Sequence, residues 1–335
     1  MVKTQIEEFV VRRWSVPQGC LQVDVHPLCG GLESAVALVI VTREPRDSPV
    51  PRRFVVKKLL PGCFREAEVY ALLWKHLEQP PSPIVLGVDA VAGSQFLYLE
   101  DLRPISSWPW SDTVLAAAVC RALARFHDGA DLPSERFAWD YEDELVRSAE
   151  STLAVAESAR DAAGIRWWRR MGDLRQVVEA LPIIRSRLLS AGSTVIHGDV
   201  HPGNVILRRG RPETQVALID WSRARIGSPL EDVASWLHAL GCWEPEARRR
   251  HDTLLRLYLD SRQVQSRLTR ELRVDYSFAS VSNGLSGAIR YHLAVLGDRG
   301  SPESMCQDSA RALVAWERVV RRVTPLLTTR QRRCR

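Results

Sequence analysis

Between residues 195 and 221 the chain reads Val195-Ile196-His197-Gly198-Asp199-Val200-His201-Pro202-Gly203-Asn204-Val205-Ile206-Leu207 and then, after a gap, Val216-Ala217-Leu218-Ile219-Asp220-Trp221. Two short apolar runs flank a turn that contains Gly210 and Pro212. Folded as an antiparallel hairpin centred on Pro212, the runs set Asn204 opposite Asp220, because paired residues share a constant index sum. Asp199 precedes Asn204 on the segment that feeds the first run. An amide oxygen and a carboxylate suit hard, octahedral Mg2+, whose shell is completed by phosphates and waters.

An Asp, four intervening residues, an Asn and a later Asp at a strand end match the layout of phosphoryl-transfer loops. There the first Asp orients the attacking hydroxyl and takes its proton, while the Asn and the second Asp hold metal ions. Two plainer readings compete. His197, Asp199 and His201 have the composition of a Zn2+ site, but that site needs further ligands in comparable motifs, and the remaining histidines are isolated. A set of turn formers with local hydrogen bonds accounts for the Gly, Pro and Asn, yet not for the apolar approach to two aspartates.

The string HGDVHPGN at 197–204 followed by LIDW at 218–221 closely resembles the aminoglycoside phosphotransferase and choline kinase-like family, whose fold is similar to that of protein kinases. Val200 stands where that family usually has Leu. The resemblance implies that Asp199 is the catalytic base, that Asn204 and Asp220 bind Mg2+, and that His197 braces the loop. Gly227, Pro229 and Asp232 match the family's continuation, in which the later Asp is mainly structural.

A kinase also needs a cation for the nonreacting phosphates. Lys57 and Lys58 end the run Phe54-Val55-Val56, and strand alternation puts them on opposite faces, so periodicity does not choose between them. The order Val55-Val56-Lys57 resembles the kinase strand whose small apolar residue and Lys both face the nucleotide, which selects Lys57 and leaves Lys58 solvated. In the helical spacing from Phe64 to Leu77, Glu66 falls about 30° from the apolar face and Glu68 about 130° from it. Glu66 therefore points inward and needs a cationic partner, and Lys57 suits it. Ahead of the strand at Val36, the segment His26 to Ser34 contains Gly30 and Gly31, where the backbone can approach phosphates closely. Its place is similar to the family's nucleotide loop, giving Gly30, Gly31 and Ser34 as expected phosphate contacts, although a full G-x-G-x-x-G is absent. Phe96 to Leu102 looks like the hinge whose backbone, at Glu100 and Leu102, would pair with adenine.

The elements that must position these residues follow from the same pattern. Val36–Val41, Phe54–Leu60, Ile84–Val91 and Gln95–Leu99 read as strands, with a break at Pro61-Gly62 and a loop at 80–83. Beyond Asp101 the chain reads as helices: one capped by Ser111 and ending at Gly129, others near 135–160, 166–190 and 230–322, with a mixed stretch at 194–221 between them. The fold class expected is α+β, a two-lobed protein kinase-like fold with a strand-rich lobe over 1–101, a helical lobe over 102–335 and a ligand cleft between them.

With 335 residues, 45% hydrophobic and 26% charged, the chain has the balance of a globular protein rather than a disordered or disulfide-scaffold one. Its apolar stretches, such as Ala35 to Val41, fall short of the roughly 18 residues a membrane span needs. The first residues carry acids and arginines where a secretory signal has its apolar core. Seven cysteines without a C-x-x-C pair suggest neither disulfide framework nor zinc ribbon. A cytoplasmic location is expected, with neither membrane nor nucleic acid as partner, since the net charge of +6 comes from basic residues mixed with acids. The basic end, Arg330 to Arg335, reads as a solvated tail.

The expected activity is ATP- and Mg2+-dependent transfer of the γ-phosphate to a hydroxyl of a small molecule. The acidic run Asp140-Tyr141-Glu142-Asp143-Glu144 would attract a cationic acceptor or, on the plainer reading, is a solvated helix face. Trp108 with Trp110 and Trp167 with Trp168 would stack on an acceptor or pack in the core. A pseudokinase that binds nucleotide and acts through protein partners is the alternative. A protein kinase is disfavoured by Gly198, where H-R-D carries Arg, and by the lack of an activation segment after Trp221.

Overall fold

A computed structural model describes residues 3–17, 19–28, 35–44, 49–59, 65–91, 93–129, 132–137, 141–162, 171–208, 216–263 and 268–331. Outside these residues lie Gly30, Gly31, Ser34, Phe64, Asp140, Trp167, Trp168, Gly210, Pro212 and Arg332 to Arg335. The chain divides into two units, Met1–Ser107 with Ile206–Arg223, and Trp108–Val205 with Ala224–Arg335.

The first unit is built on a five-stranded sheet of β1 (Gln22–Leu28), β2 (Ala35–Arg43), β3 (Arg53–Leu59), β4 (Val85–Val91) and β5 (Ser94–Glu100), in the order β1-β2-β3-β5-β4. Every neighbouring pair is antiparallel. The central strand β3 pairs Lys57 with Val36 on one side and Leu97 on the other. Besides α2 (Arg65–His76), the unit contains a helix that the strand-only reading of its N-terminal part missed, α1 (Lys3–Trp14). Ile6, Phe9 and Val10, spaced for one helical face, are its buried residues. They join Val39, Phe54, Val56 and Tyr98 in a core, with Phe9 stacked on Tyr98 at 3.5 Å between ring centroids. Each such side chain contributes about 1.5–3 kcal/mol by leaving water.

The second unit contains α3 (Thr113–Gly129), α4 (Tyr141–Ala162), α5 (Met171–Glu179), α6 (Leu181–Ser190), α7 (Pro229–Trp243), α8 (Pro245–Arg249), α9 (His251–Ser261), α10 (Arg270–Asn283), α11 (Ile289–Gly297) and α12 (Glu303–Gln331). The start of α3 differs from the sequence expectation: the Asp112 carboxylate, not Ser111, accepts the Val114 N–H at 2.8 Å. Both residues are good caps, and one position of register decides between them. Before α7, Pro229 fills the first helical position, and Ser228 with Glu231 closes a reciprocal capping box.

Four short strands in two pairs frame the mixed stretch. β6 (Thr194–Ile196) pairs antiparallel with β9 (Arg225–Gly227), and β7 (Val205–Leu207) pairs with β8 (Val216–Leu218). The β7–β8 ladder thus stops short of Asn204 and Asp220, and the hairpin argument that set them side by side does not hold as a strand pairing. Asp220 leaves the extended conformation altogether, with φ of 63°. Among the described residues, no helix is long and apolar enough to cross a membrane, and Cys20, Cys120, Cys242 and Cys306 are free thiols.

Candidate active site

In the first unit, β3 and α2 bring Lys57 and Glu66 together. Lys57 is buried with its ammonium 2.7 Å from Glu66 Oε2 and 2.9 Å from Asp220 Oδ1. Lys58, on the other face of the strand, is only half-buried. Glu66 has no exposed surface, and the Trp221 backbone N–H also donates to its carboxylate. Burial alone would pull the Lys57 ammonium down, but Glu66 and Asp220 beside it hold it above its ordinary value. The Glu66 carboxyl is pushed up to about 7, mainly by burial, against the opposing pull of Lys57. Two carboxylates share one ammonium at this place.

Asp220 follows β8 in the left-handed region, at a cost of about 1–2 kcal/mol that Asp tolerates better than most residues. The turn aims its carboxylate back toward β3, and the Ser222 hydroxyl donates to the same Oδ1 at 2.9 Å. The side chain remains about one-third exposed.

In the second unit, β6 leads into a loop fixed from behind by a buried carboxylate. Asp232, in the first turn of α7, accepts the N–H groups of His197 and Gly198, each at 2.8 Å. His127 of α3 lies 3.1 Å from the same carboxylate through Nε2, and its Nδ1 lies 2.9 Å from the Tyr258 hydroxyl. An ionised Asp232 only accepts, so the proton belongs on Nε2 and Nδ1 receives the tyrosine O–H. Although burial works against the charged form, these donors hold the Asp232 carboxyl below its usual range. Gly198 has φ of 83°, a conformation open to glycine without strain; an Arg here, as in H-R-D, would be costly. The buried His197 ring accepts the Asp199 N–H through Nδ1 at 3.2 Å.

Asp199 itself emerges from this brace with its carboxylate two-fifths exposed. Asn204 is buried, and its Nδ2 donates to the Asp199 carbonyl at 3.0 Å and stands 3.4 Å from Oδ2. With the amide nitrogen engaged there, Oδ1 is the atom left for a hard cation. The His201 ring instead accepts the Gly203 N–H, so neither loop histidine is arranged as a metal ligand.

A second layer escaped the sequence reading. The buried Glu231 receives Arg185 Nη1 at 2.6 Å, Arg225 Nη2 at 3.2 Å and the Ser282 hydroxyl at 3.2 Å. Arg225 lies 3.6 Å from the centre of the Tyr141 ring. Arg185 also grips Glu142 through Nε and Nη2, which diverts one acid of the 140–144 run from any acceptor. Neither His127 nor Glu231 carries a motif; a polar residue on an apolar helical face was the one available signal.

Of the remaining expected positions, Glu100 donates its N–H to the Ile84 carbonyl, and its carboxylate takes the Ile84 N–H and Arg208. Leu102 follows in an irregular, half-buried segment. Trp110 is buried edge-on against Trp236, a core role, whereas Trp108 is exposed and donates to Glu244.

A family model described as the phosphotransferase enzyme family matches residues 24–274. No curated protein matches the chain by sequence. Among solved structures, a choline kinase from Cryptosporidium parvum is similar at a TM-score of 0.59 and 11% identity, over 96% of this chain and 97% of that one. A spectinomycin phosphotransferase in complex with ADP and spectinomycin gives 0.58 and 9%, over 96% and 98%. The choline kinase LicA from Streptococcus pneumoniae gives 0.53 and 17%, over 93% and 99%. At such identities these likenesses concern the fold, which is that of the phosphotransferases and protein kinases.

Proposed function

The chain belongs to the phosphotransferase enzyme family, and from that membership we propose that it transfers the γ-phosphate of ATP to a hydroxyl of a small molecule. The observation that carries the reading is Lys57, a buried ammonium held by Glu66 and presented beside the half-open carboxylate of Asp220. In this role Lys57 binds the nonreacting phosphates. Gly30, Gly31 and Ser34 cover them, and the backbone of Glu100 and Leu102 receives the adenine. Use of ATP is supported by the ADP bound to the spectinomycin phosphotransferase, and a small-molecule acceptor by the choline and spectinomycin that name the similar enzymes.

The donor set fits Mg2+: a carboxylate with exposed surface in Asp220 and an amide whose oxygen is left over in Asn204. Bound there, the metal would neutralise charge on the phosphates during transfer. Asp199 accepts the proton of the acceptor hydroxyl as its oxygen forms the new bond to phosphorus. The bond from phosphorus to the ADP oxygen breaks, and ADP leaves with its electron pair. Asp232 and His197 hold the loop so that Asp199 meets the acceptor already oriented. The expected result for Asp199→Asn is nucleotide affinity near that of the parent and turnover lower by about 10²–10⁴-fold. Calorimetric titration with ATP and acceptor-dependent ADP release would measure the two. Undiminished transfer by this variant would remove Asp199 from the reaction.

A further inference from the structure

Between α10 and α11 the helix widens into a π-turn, Gly284–Ala288, in which the Ile289 N–H reaches back to the Gly284 carbonyl. Such single-turn widenings cluster at functional sites. The Leu285 carbonyl is taken from outside the helix by the Ser148 hydroxyl of α4, at 3.0 Å. The back of the turn is packed: Leu285 and Ile289 are buried, and a Cβ on Gly284 would stand 2.9 Å from the Trp316 ring. Its front is open. Gly287 adopts φ 155° and ψ −24°, a glycine conformation, and a Cβ there would meet nothing within 4 Å. Asn283, Ser286 and Ala288 are half-buried around it.

The neighbours of α10 give the direction of this open face. Ser280 meets His238 of α7, whereas Ser282 meets Glu231, seven residues nearer the start of that helix. Advancing along α10 therefore moves toward the end of α7 that holds the N–H groups of His197 and Gly198. The π-turn is the next segment along that path. It also lies past residue 274, where the family match ends.

We propose that the π-turn, with Asn283 before it, forms a wall of the acceptor site and recognises a neutral, hydroxyl-bearing part of the acceptor. Gly287 lets bare main chain approach that group. Asn283 offers an amide, and Ser286, whose O–H donates to the Asn283 carbonyl at 2.8 Å, offers hydroxyl lone pairs. None of the residues 283–288 is charged, which selects hydrogen bonding over ion pairing. The inference rests on the phosphotransferase reading above and adds where the acceptor is read.

The test uses the full chain with ATP, Mg2+ and a panel of amino alcohols, sugars, cyclitols and aminoglycosides, reading ADP release. For an acceptor that the parent protein phosphorylates, Asn283→Ala should raise the acceptor KM about tenfold, the loss of one or two hydrogen bonds, with the ATP KM shifted less than about twofold. Gly287→Val, which fills the open face, should raise it further. Should Gly287→Val not fold, Asn283→Ala still decides the matter. Unchanged acceptor KM in the variants, or ATP KM rising in step with it, overturns the proposed wall while leaving phosphotransfer intact. No ADP release by the parent with any member of the panel overturns the phosphotransferase reading and this inference with it.

Discussion

Lys57 serves two carboxylates, and the acid with no exposed surface bears the imbalance. Glu66 is pushed up to about 7, chiefly because burial disfavours its charged form, whereas an unfolded chain titrates it near ~4.3. A folded state that holds this proton more tightly is favoured at low pH. Its contribution is fully present below about pH 4.3 and is lost as pH rises through about 7. Lys57→Met removes the charge that opposes this rise, so Glu66 should be pushed higher still. At neutral pH the variant should lose about 3–5 kcal/mol, the cost of stranding one partner of a buried pair. Its stability should also fall more steeply than that of the parent from about pH 6 to about pH 9. Urea midpoints across that range provide the measurement, and Lys57→Met combined with Glu66→Gln should regain most of the loss. Equal stability of the single and double variants across that range would mean that Glu66 needs no cationic partner.

At the scale of elements, the junction of β6, β9 and the start of α7 determines where the 197–204 loop sits. A Cβ on Gly227 would stand 2.5 Å from Ile196 Cδ1 and 2.8 Å from Glu231 Oε2, so it would press on β6 and on the capping box together. Gly227→Ala should cost about 1–3 kcal/mol by overpacking and lower turnover more than ATP affinity, as thermal melts and steady-state kinetics would register. A fully active variant of parental stability would show that the junction yields. How much of this was legible in the sequence depended on the range of the interactions. The inward direction of Glu66 followed from helix periodicity, and the loop residues from their types and spacing. Alternation could not choose Lys57 over Lys58, because its answer comes from Glu66 and Asp220, both outside the strand, meeting one face of β3. The helix α1 hid its Ile6, Phe9 and Val10 stripe among interleaved charges. The hold of Asp232 on the loop spans 35 positions and that of His127 on Asp232 spans 105, distances over which local pattern says nothing. The hairpin geometry gave way because the left-handed turn at Asp220 ends its strand early.

Over the whole molecule, buried and half-buried basic residues are matched by acids, with Arg185 on Glu142 and Glu231, Arg225 also on Glu231, Arg187 on Asp275 and Arg262 on Asp128. Buried histidines contribute to the response to acid. His292 is buried with Nδ1 3.2 Å from the Ser309 hydroxyl, and burial pulls it down to about 4. His238, packed between His251, Tyr276 and Trp316, is held well below its ordinary value by burial and by His251. Burial lowers His251 as well. Once unfolded, all three would take up protons near pH ~6.5. Through these histidines the unfolded state binds more protons than the folded one below that value, and their contribution to stability falls as the solution is acidified. For His292 alone the loss between about pH 6.5 and pH 4 amounts to about 3 kcal/mol. His292→Gln keeps a hydrogen-bonding side chain for Ser309 but cannot titrate. Its urea midpoint should drop less with acidification than that of the parent, since only the His238 and His251 contributions remain, so the two curves converge toward pH 4. Parallel curves would place the acid sensitivity in His238 and His251, or in the carboxylates, and not in His292.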